Sequence, residues 1–297
     1  MIRGILYVII ASLAFGVAPL GNKYVLLSGM APDCTLFYQT LTMVGGTALV
    51  ILLTRTSFRV PLKDALFLLL EGVVGIGATD YLLNLAYGYL QVSTVIMLQF
   101  LYPTIVLLIS ALFFGQRVSR LTAGAVVLSI TGLVLVTDFS GGMDPLGVLF
   151  ALGSAAAYAF FVLANDYGRV NRHPLVLKLF YLSVGAALVC GGKTAASASF
   201  SLPADGKTAL VLVGVVGVGS LLGFFFITAG VKAVGASKSA FLNMLEPITS
   251  VLGGVLLYQE VLGLRGWTGC FCVLLSVLLL VLDGNDGEEE RTFPAGG

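Results

Sequence analysis

The stretch Gly-Val-Val-Gly-Ile-Gly at residues 72–77 returns as Gly-Val-Val-Gly-Val-Gly at 214–219, 142 positions further on, each time inside an apolar run of helical length. The chain is therefore built twice. At a shift of 143, residues 4–24 lie over 147–167, superposing Phe15 on Tyr158, Asn22 on Asn165 and Tyr24 on Tyr167. At 144, Pro103 falls on Pro247, with Ser93 on Ser237, Leu98 on Leu242, Gln99 on Asn243, Phe114 on Tyr258 and Gln116 on Glu260. A unit of about 140 residues is much longer than a solenoid or propeller repeat, so it points to a duplicated and fused half-protein of several helices.

With 58% apolar and 10% charged residues, the chain has too little charge to cover a soluble domain of this size. It reads as an all-α membrane protein. Crossing a hydrocarbon core of about 30 Å takes about 20 helical residues. Ten segments qualify, at 3–22, 34–53, 64–86, 94–114, 119–137, 146–165, 175–191, 208–230, 238–258 and 265–282. Strands are excluded because the segments lack alternation and are about twice barrel-strand length. The expected units are 1–143 and 144–283, five spans each, followed by an acidic tail at 284–297 expected to be disordered and cytoplasmic. The first segment has features of a signal peptide, but its repeat counterpart lies in mid-chain, so it is expected to be retained.

Placing the N-terminus in the cytoplasm leaves Arg3, Arg55, Arg59, Lys63, Arg117, Arg120, Arg169, Arg172, Lys178, Lys232, Lys238 and Arg291 inside, against only Lys23, Lys193, Lys207 and Arg265 outside. Five spans per half is an odd number, so the second half enters the membrane upside down, and both termini are cytoplasmic. Cys34, Cys190, Cys270 and Cys272 fall toward the outer helix ends and read as packing residues, with Cys270 and Cys272 on different helix faces.

Three acids lie well inside the spans, Glu71, Asp80 and Glu246, and a charge at the bilayer centre costs at least about 2.5 kcal/mol. Asp80 stands nine residues after Glu71 and so faces away from it, but shares a face with Asn84. Each acid serves either as a hydrogen-bonded joint between helices or in proton coupling or amine binding. Pro247 follows Glu246 and breaks the ninth span; Pro103, approached by Gln99 and Tyr102, breaks the fourth as Asn243 and Glu246 approach Pro247. Paired breaks at matching places in two inverted halves are a pointer to a midplane substrate site. Gly72, Gly75 and Gly77, with Gly214, Gly217 and Gly219, let the third and eighth spans approach or slide against a neighbour. No dinucleotide-binding strand accompanies them.

Tyr38, Tyr81, Tyr102 and Tyr158 offer flat surfaces with a hydroxyl, suited to a small amphiphilic solute. Asn22 and Asn165 read as helix ends, and His173 as a loop residue without catalytic partners. No nucleophile, metal set or phosphate loop is present, so the expectation is a non-enzyme with no cofactor and no metal, driven by a gradient. The expected partners are a small-molecule substrate and the lipid bilayer, not nucleic acid, and a monomer suffices.

Leu-Glu-Pro-Ile-Thr-Ser-Val-Leu-Gly-Gly-Val-Leu-Leu-Tyr-Gln-Glu at 245–260 resembles the Glu-Pro helix of the ten-helix members of the drug/metabolite transporter superfamily, those with two EamA-type repeats. Gln259 stands where that family usually has glycine, and Tyr102-Pro103 and Gly115-Gln116-Arg117 hold the matching places in the first half. The resemblance implies export of small metabolites, often amino acids, from a bacterial inner membrane. It also implies a central cavity lined by spans one, three, four, six, eight and nine, worked by alternating access. A channel is the alternative; it would call for rings of like residues around a pore.

Overall fold

The computed structural model describes residues 2–90, 92–136, 143–259 and 263–283, and these residues are helical with no strand. The acidic tail lies outside them. The helices are α1 (Ile2–Leu27), α2 (Pro32–Leu53), α3 (Leu62–Tyr87), α4 (Val92–Gln99), α5 (Tyr102–Phe114), α6 (Arg120–Val136), α7 (Pro145–Tyr167), α8 (Leu175–Ala196), α9 (Gly206–Val234), α10 (Ala236–Leu242), α11 (Leu245–Tyr258) and α12 (Leu264–Leu282). Seven helical stretches, with α10 and α11 taken as one, are long and apolar enough to cross a membrane; α5, α6 and α12 are shorter apolar helices.

Both proline breaks open upstream of the ring. Proline lacks an amide for the carbonyl four residues back and its ring crowds that carbonyl. The positions four back from Pro103 and Pro247 are Gln99 and Asn243, and α4 stops at Gln99 while α10 stops at Leu242. The fold thus carries four half-helices where the sequence shows two spans.

Neighbours are exchanged between halves. α1 packs on α9 and α11, α7 packs on α3 and α5, α2 pairs with α8, and α6 pairs with α12. Equivalence extends to single turns. α2 ends with Thr54 Oγ1 2.9 Å from Thr56 Oγ1 around a left-handed Arg55; α8 ends with Ser197 Oγ 2.7 Å from Ser199 Oγ around a left-handed Ala198.

Close contacts fix the true register of the glycine-rich helices. Gly4 lies against Ala233 and Val234, and its counterpart Gly147 against Tyr89 and Leu90. Gly46 lies against Leu221, and its counterpart Val189 against Gly77. Both pairs match α3 to α9 at a shift of 144. The hexapeptide match at 142 is therefore two residues out of phase, roughly 200° around a helix. The correction matters for packing. A β-carbon at Gly72 would sit 2.1 Å from the Leu182 carbonyl oxygen, at Gly75 2.6 Å from Phe161 Cβ, at Gly77 2.8 Å from Val189 and at Gly217 2.6 Å from Thr42. Gly214 instead faces open space, and Gly219 has only the Ala14 oxygen at 3.9 Å. In both helices the chain widens into π-type turns, at Val73–Ala78 and Val211–Val218, which side-chain-free glycines accommodate.

Candidate functional site

The two breaks meet. Tyr102, in the first turn of α5, donates its hydroxyl to the Ala240 carbonyl of α10 at 3.2 Å and accepts from Asn243 Nδ2 at 3.2 Å. Asn243 Nδ2 also donates to Glu246 Oε2 at 2.8 Å, and Asn243 Oδ1 lies 3.0 Å from Ser12 Oγ of α1. Asn243 and Ser12 are fully buried. At the second break the Ala240 carbonyl is thus held by a hydroxyl from the other half, the kind of contact that lets a broken helix be tolerated at membrane depth.

An aromatic lattice surrounds this junction. Tyr158 of α7 meets Tyr102 edge-on at 4.7 Å and Phe161 at 5.6 Å; Phe161 meets Phe224 at 5.5 Å, and Phe224 meets Phe15 at 5.0 Å. Tyr87 and Tyr158 each stand within electrostatic range of both Asp80 and Glu246, so α3 and α11 present their acids to one region. Asp80 and Glu246 lie deep among the helices yet keep part of their surface accessible. Asp80 Oδ2 is buried without a hydrogen-bond partner.

Asn84 Nδ2 donates to the Asp80 backbone carbonyl at 3.0 Å, and Asn84 lines a small open cleft with Asp33, Leu36, Tyr81, Val189, Cys190 and Lys193. Lys193 Nζ sits 4.9 Å from the Tyr81 ring centre. Tyr38 stands nearby on α2, its ring 5.9 Å from Phe200, away from the central junction. Gln99 ends α4 beside the first break, half-buried.

Glu71 belongs elsewhere. Asn165 Nδ2 donates to Glu71 Oε1 at 2.6 Å, and Lys178 Nζ donates to Asn165 Oδ1 at 3.1 Å, with all three side chains buried. Two readings from the sequence gain detail here. Asn165, in the last turn of α7, is also the hub of this network, and Asn22 lies within α1, five residues before its end. Lys178, counted among the cytoplasmic charges, is inside α8. His173 also has an acid partner: its Nε2 is 2.8 Å from Asp64 Oδ2, which takes Arg172 at 2.6 Å. The four cysteines are unbridged.

Sequence reasoning missed Tyr87, Ser12 and the Asn165–Lys178 contact. Tyr87 was within reach, since it follows Asp80 by seven residues and shares its helix face. Ser12 and Lys178 carry no local signal, because their partners lie in the other half or across a loop.

Both halves match the EamA-like transporter family, over residues 2–138 and 145–282, so the chain belongs to that family of membrane transporters in the drug/metabolite superfamily. It is similar to the uncharacterized inner membrane transporter YicL of Salmonella typhimurium, 28% identical over 74% of each chain. It is also similar to the uncharacterized transporter YcbK of Bacillus subtilis, 25% identical over 90% of this chain and 89% of that one. A crystal structure superposes with a TM-score of 0.78 over 95% of this chain and 98% of its own, at 18% identity, a likeness of fold.

Proposed function

We propose that the protein is a secondary transporter of small amphiphilic metabolites, with amino acids the first candidates, working by alternating access in a bacterial inner membrane. The observation that carries this reading is the meeting of two proline-broken helices through Tyr102, Ala240 and Asn243, with Glu246 hydrogen-bonded at the junction. Substrate sites formed by interrupted helices at a repeat interface are the recurrent solution in such carriers. Residues 1–143 and 144–283 form the two units, ten crossings in all, inverted with respect to each other and with both termini in the cytoplasm. The exchanged packing of α1 on α9 and of α7 on α3 supports an approximate two-fold between them.

In this scheme the central site comprises Asp80, Tyr87, Tyr102, Tyr158, Asn243 and Glu246. Tyr38, Tyr81 and Asn84 lie along the approach. The crossings at Gly72, Gly75, Gly77 and Gly217 are where α3 and α9 bear on their neighbours, while Pro103 and Pro247 set the breaks. Uptake of labelled amino acids into proteoliposomes, with and without an imposed pH gradient, tests the reading. Saturable flux is expected. Flux rising linearly with concentration would instead favour a channel.

A further inference from the structure

Away from the helix breaks, the small cleft between α2, α3 and α8 has Asp33, Leu36, Tyr81, Asn84, Val189 and Lys193 among its walls. It lies at the far end of α8 from the Glu71 network, since Lys193 follows Lys178 by fifteen residues, about 22 Å along the axis. The cleft originates in the course of α3. At Gly77 that helix lies against Val189 and Ala186 of α8. Past the π-type turns its last part, Thr79–Tyr87, packs chiefly on α7, and the gap left beside α8 is the cleft.

Its charges single it out. Asp33 on α2 and Lys193 on α8 have opposite signs and stand close, because Thr194, next to Lys193, donates its hydroxyl to the Asp33 carbonyl at 2.9 Å. Their side chains do not pair. Among the described residues the Asp33 carboxylate has no hydrogen bond or ion pair, and the Lys193 ammonium has only the Tyr81 ring, 4.9 Å from its centre. The repeat shows that the scaffold requires neither charge. At a shift of 143, Asp33 and Lys193 correspond to Val176 and Val50; at 144, Tyr81 and Asn84 correspond to Phe225 and Thr228. An acid in the first turn of α2 and a base in the last turn of α8 do suit the dipoles of their helices. A dipole role alone leaves unexplained why both charges line one cleft without joining.

We propose that this cleft binds a zwitterionic headgroup, its ammonium on Asp33 and its anionic oxygens on Lys193. The second N–H of the Asn84 amide adds a donor beside Lys193, and Leu36 and Val189 take the adjoining carbon chain. An unjoined acid and base a short span apart match both charges of such a group, whereas a ligand with one charge leaves the other side chain unanswered. Two sources present this chemistry, a free amino acid and the headgroup of an ethanolamine phospholipid. The site is separate from the junction of Tyr102 and Asn243 and goes beyond the transport reading, so binding there is measured without flux.

The test is calorimetry on the purified full chain in a non-ionic detergent free of phospholipid. Leucine is compared with its two halves, 3-methylbutylamine and 4-methylpentanoate, and glycerophosphoethanolamine with the anionic glycerophosphoglycerol. A zwitterion is expected to bind roughly tenfold or more tightly than its single-charge counterparts. Preference for leucine assigns the site to a free solute; preference for glycerophosphoethanolamine without leucine binding assigns it to the lipid. Asp33→Asn and Lys193→Gln should each weaken the preferred zwitterion roughly tenfold. Leu36→Cys places a thiol in the cleft, and the same zwitterion should slow its modification by a small methanethiosulfonate, read by peptide mass. Should either charge variant fail to fold, the wild-type preference and the protection at Leu36→Cys decide. The proposed site is ruled out if neither zwitterion is preferred, if affinity is unchanged in both folded variants, or if the thiol is not protected. Variants that melt earlier while binding as before would leave the two charges a helix-end role alone. None of these results touches the transport reading, which stands or falls on saturable flux.

Discussion

The network around Asn165 and the equivalent place around Asn22 occupy one scaffold and hold opposite chemistry. At a shift of 143, Asn165 and Lys178 correspond to Asn22 and Thr35; at 144, Glu71 corresponds to Val215. On one side an acid, an amide and an ammonium are joined in the interior. On the other, Val215 packs on Gly21, Thr35 donates to the Ala31 carbonyl at the start of its own helix, and among the described residues Asn22 Oδ1 is buried without a partner. Nearby, the Asp64–Arg172–His173 cluster reinforces the charged end. The same place in the repeat thus holds an ionic lock in one half and an apolar contact in the other. In the carrier proposed above, two such places of unequal strength would favour one state at rest.

The largest effect should come from that lock. Lys178→Met leaves Glu71 buried without its cation and is expected to cost about 3–5 kcal/mol, whereas Thr35→Val at the equivalent place should cost under about 1 kcal/mol. Unfolding of the purified protein in mixed micelles measures both. The double substitution Glu71→Gln with Lys178→Met should recover much of the loss, since a missing pair is cheaper than a stranded charge. If Lys178→Met and Thr35→Val prove equally mild, the two ends do not differ in the way described.

Next in size is the contrast between the hexapeptides. Gly72→Ala pushes a methyl into the Leu182 carbonyl, a backbone atom that cannot step aside, and should destabilise by about 1–3 kcal/mol. Gly214→Ala meets nothing within 4 Å and should stabilise by about 0.5–1 kcal/mol, through the higher helix propensity of alanine. The same melting assay decides. Equal responses would restore the register of 142 and remove the phase difference between the halves.

That phase difference marks where the sequence stops being legible. The all-helical membrane character and both helix breaks could be read because they follow from local rules, apolar length for the helices and a missing amide acting four residues upstream for the breaks. The hexapeptide match misled because six identical letters outweigh a register that only neighbouring helices reveal. Gly4 against Val234 and Gly147 against Leu90 are contacts across the halves. The candidate acids were visible as costly residues, yet their grouping was not. Lys178 looks like a loop charge because it is three residues past the start of α8, and only the fold turns it inward to Asn165. Asp80 and Glu246 come within electrostatic range of the same two tyrosines, Tyr87 and Tyr158, from separate helices, which no single stretch of chain encodes.

The smallest expected effect concerns two equivalent helix ends. Gly115 closes α5 with φ 69° and ψ 19°, and Gln259 closes α11 with φ 54° and ψ 33°. Both amides reach back to the matching carbonyls, of Ser110 and Gly254, so the caps share one left-handed geometry. Only the residue differs. A β-carbon in that conformation crowds the following carbonyl by roughly 1–2 kcal/mol, partly offset by the greater freedom glycine has in the unfolded chain. Gln259→Gly is therefore expected to stabilise by about 0.5–1 kcal/mol, and Gly115→Ala to destabilise by about 1 kcal/mol. A Gln259→Gly variant of unchanged stability but altered flux would mean that the strain at this cap serves the transport cycle and not the resting fold, because strained caps persist where the surrounding structure has a use for them.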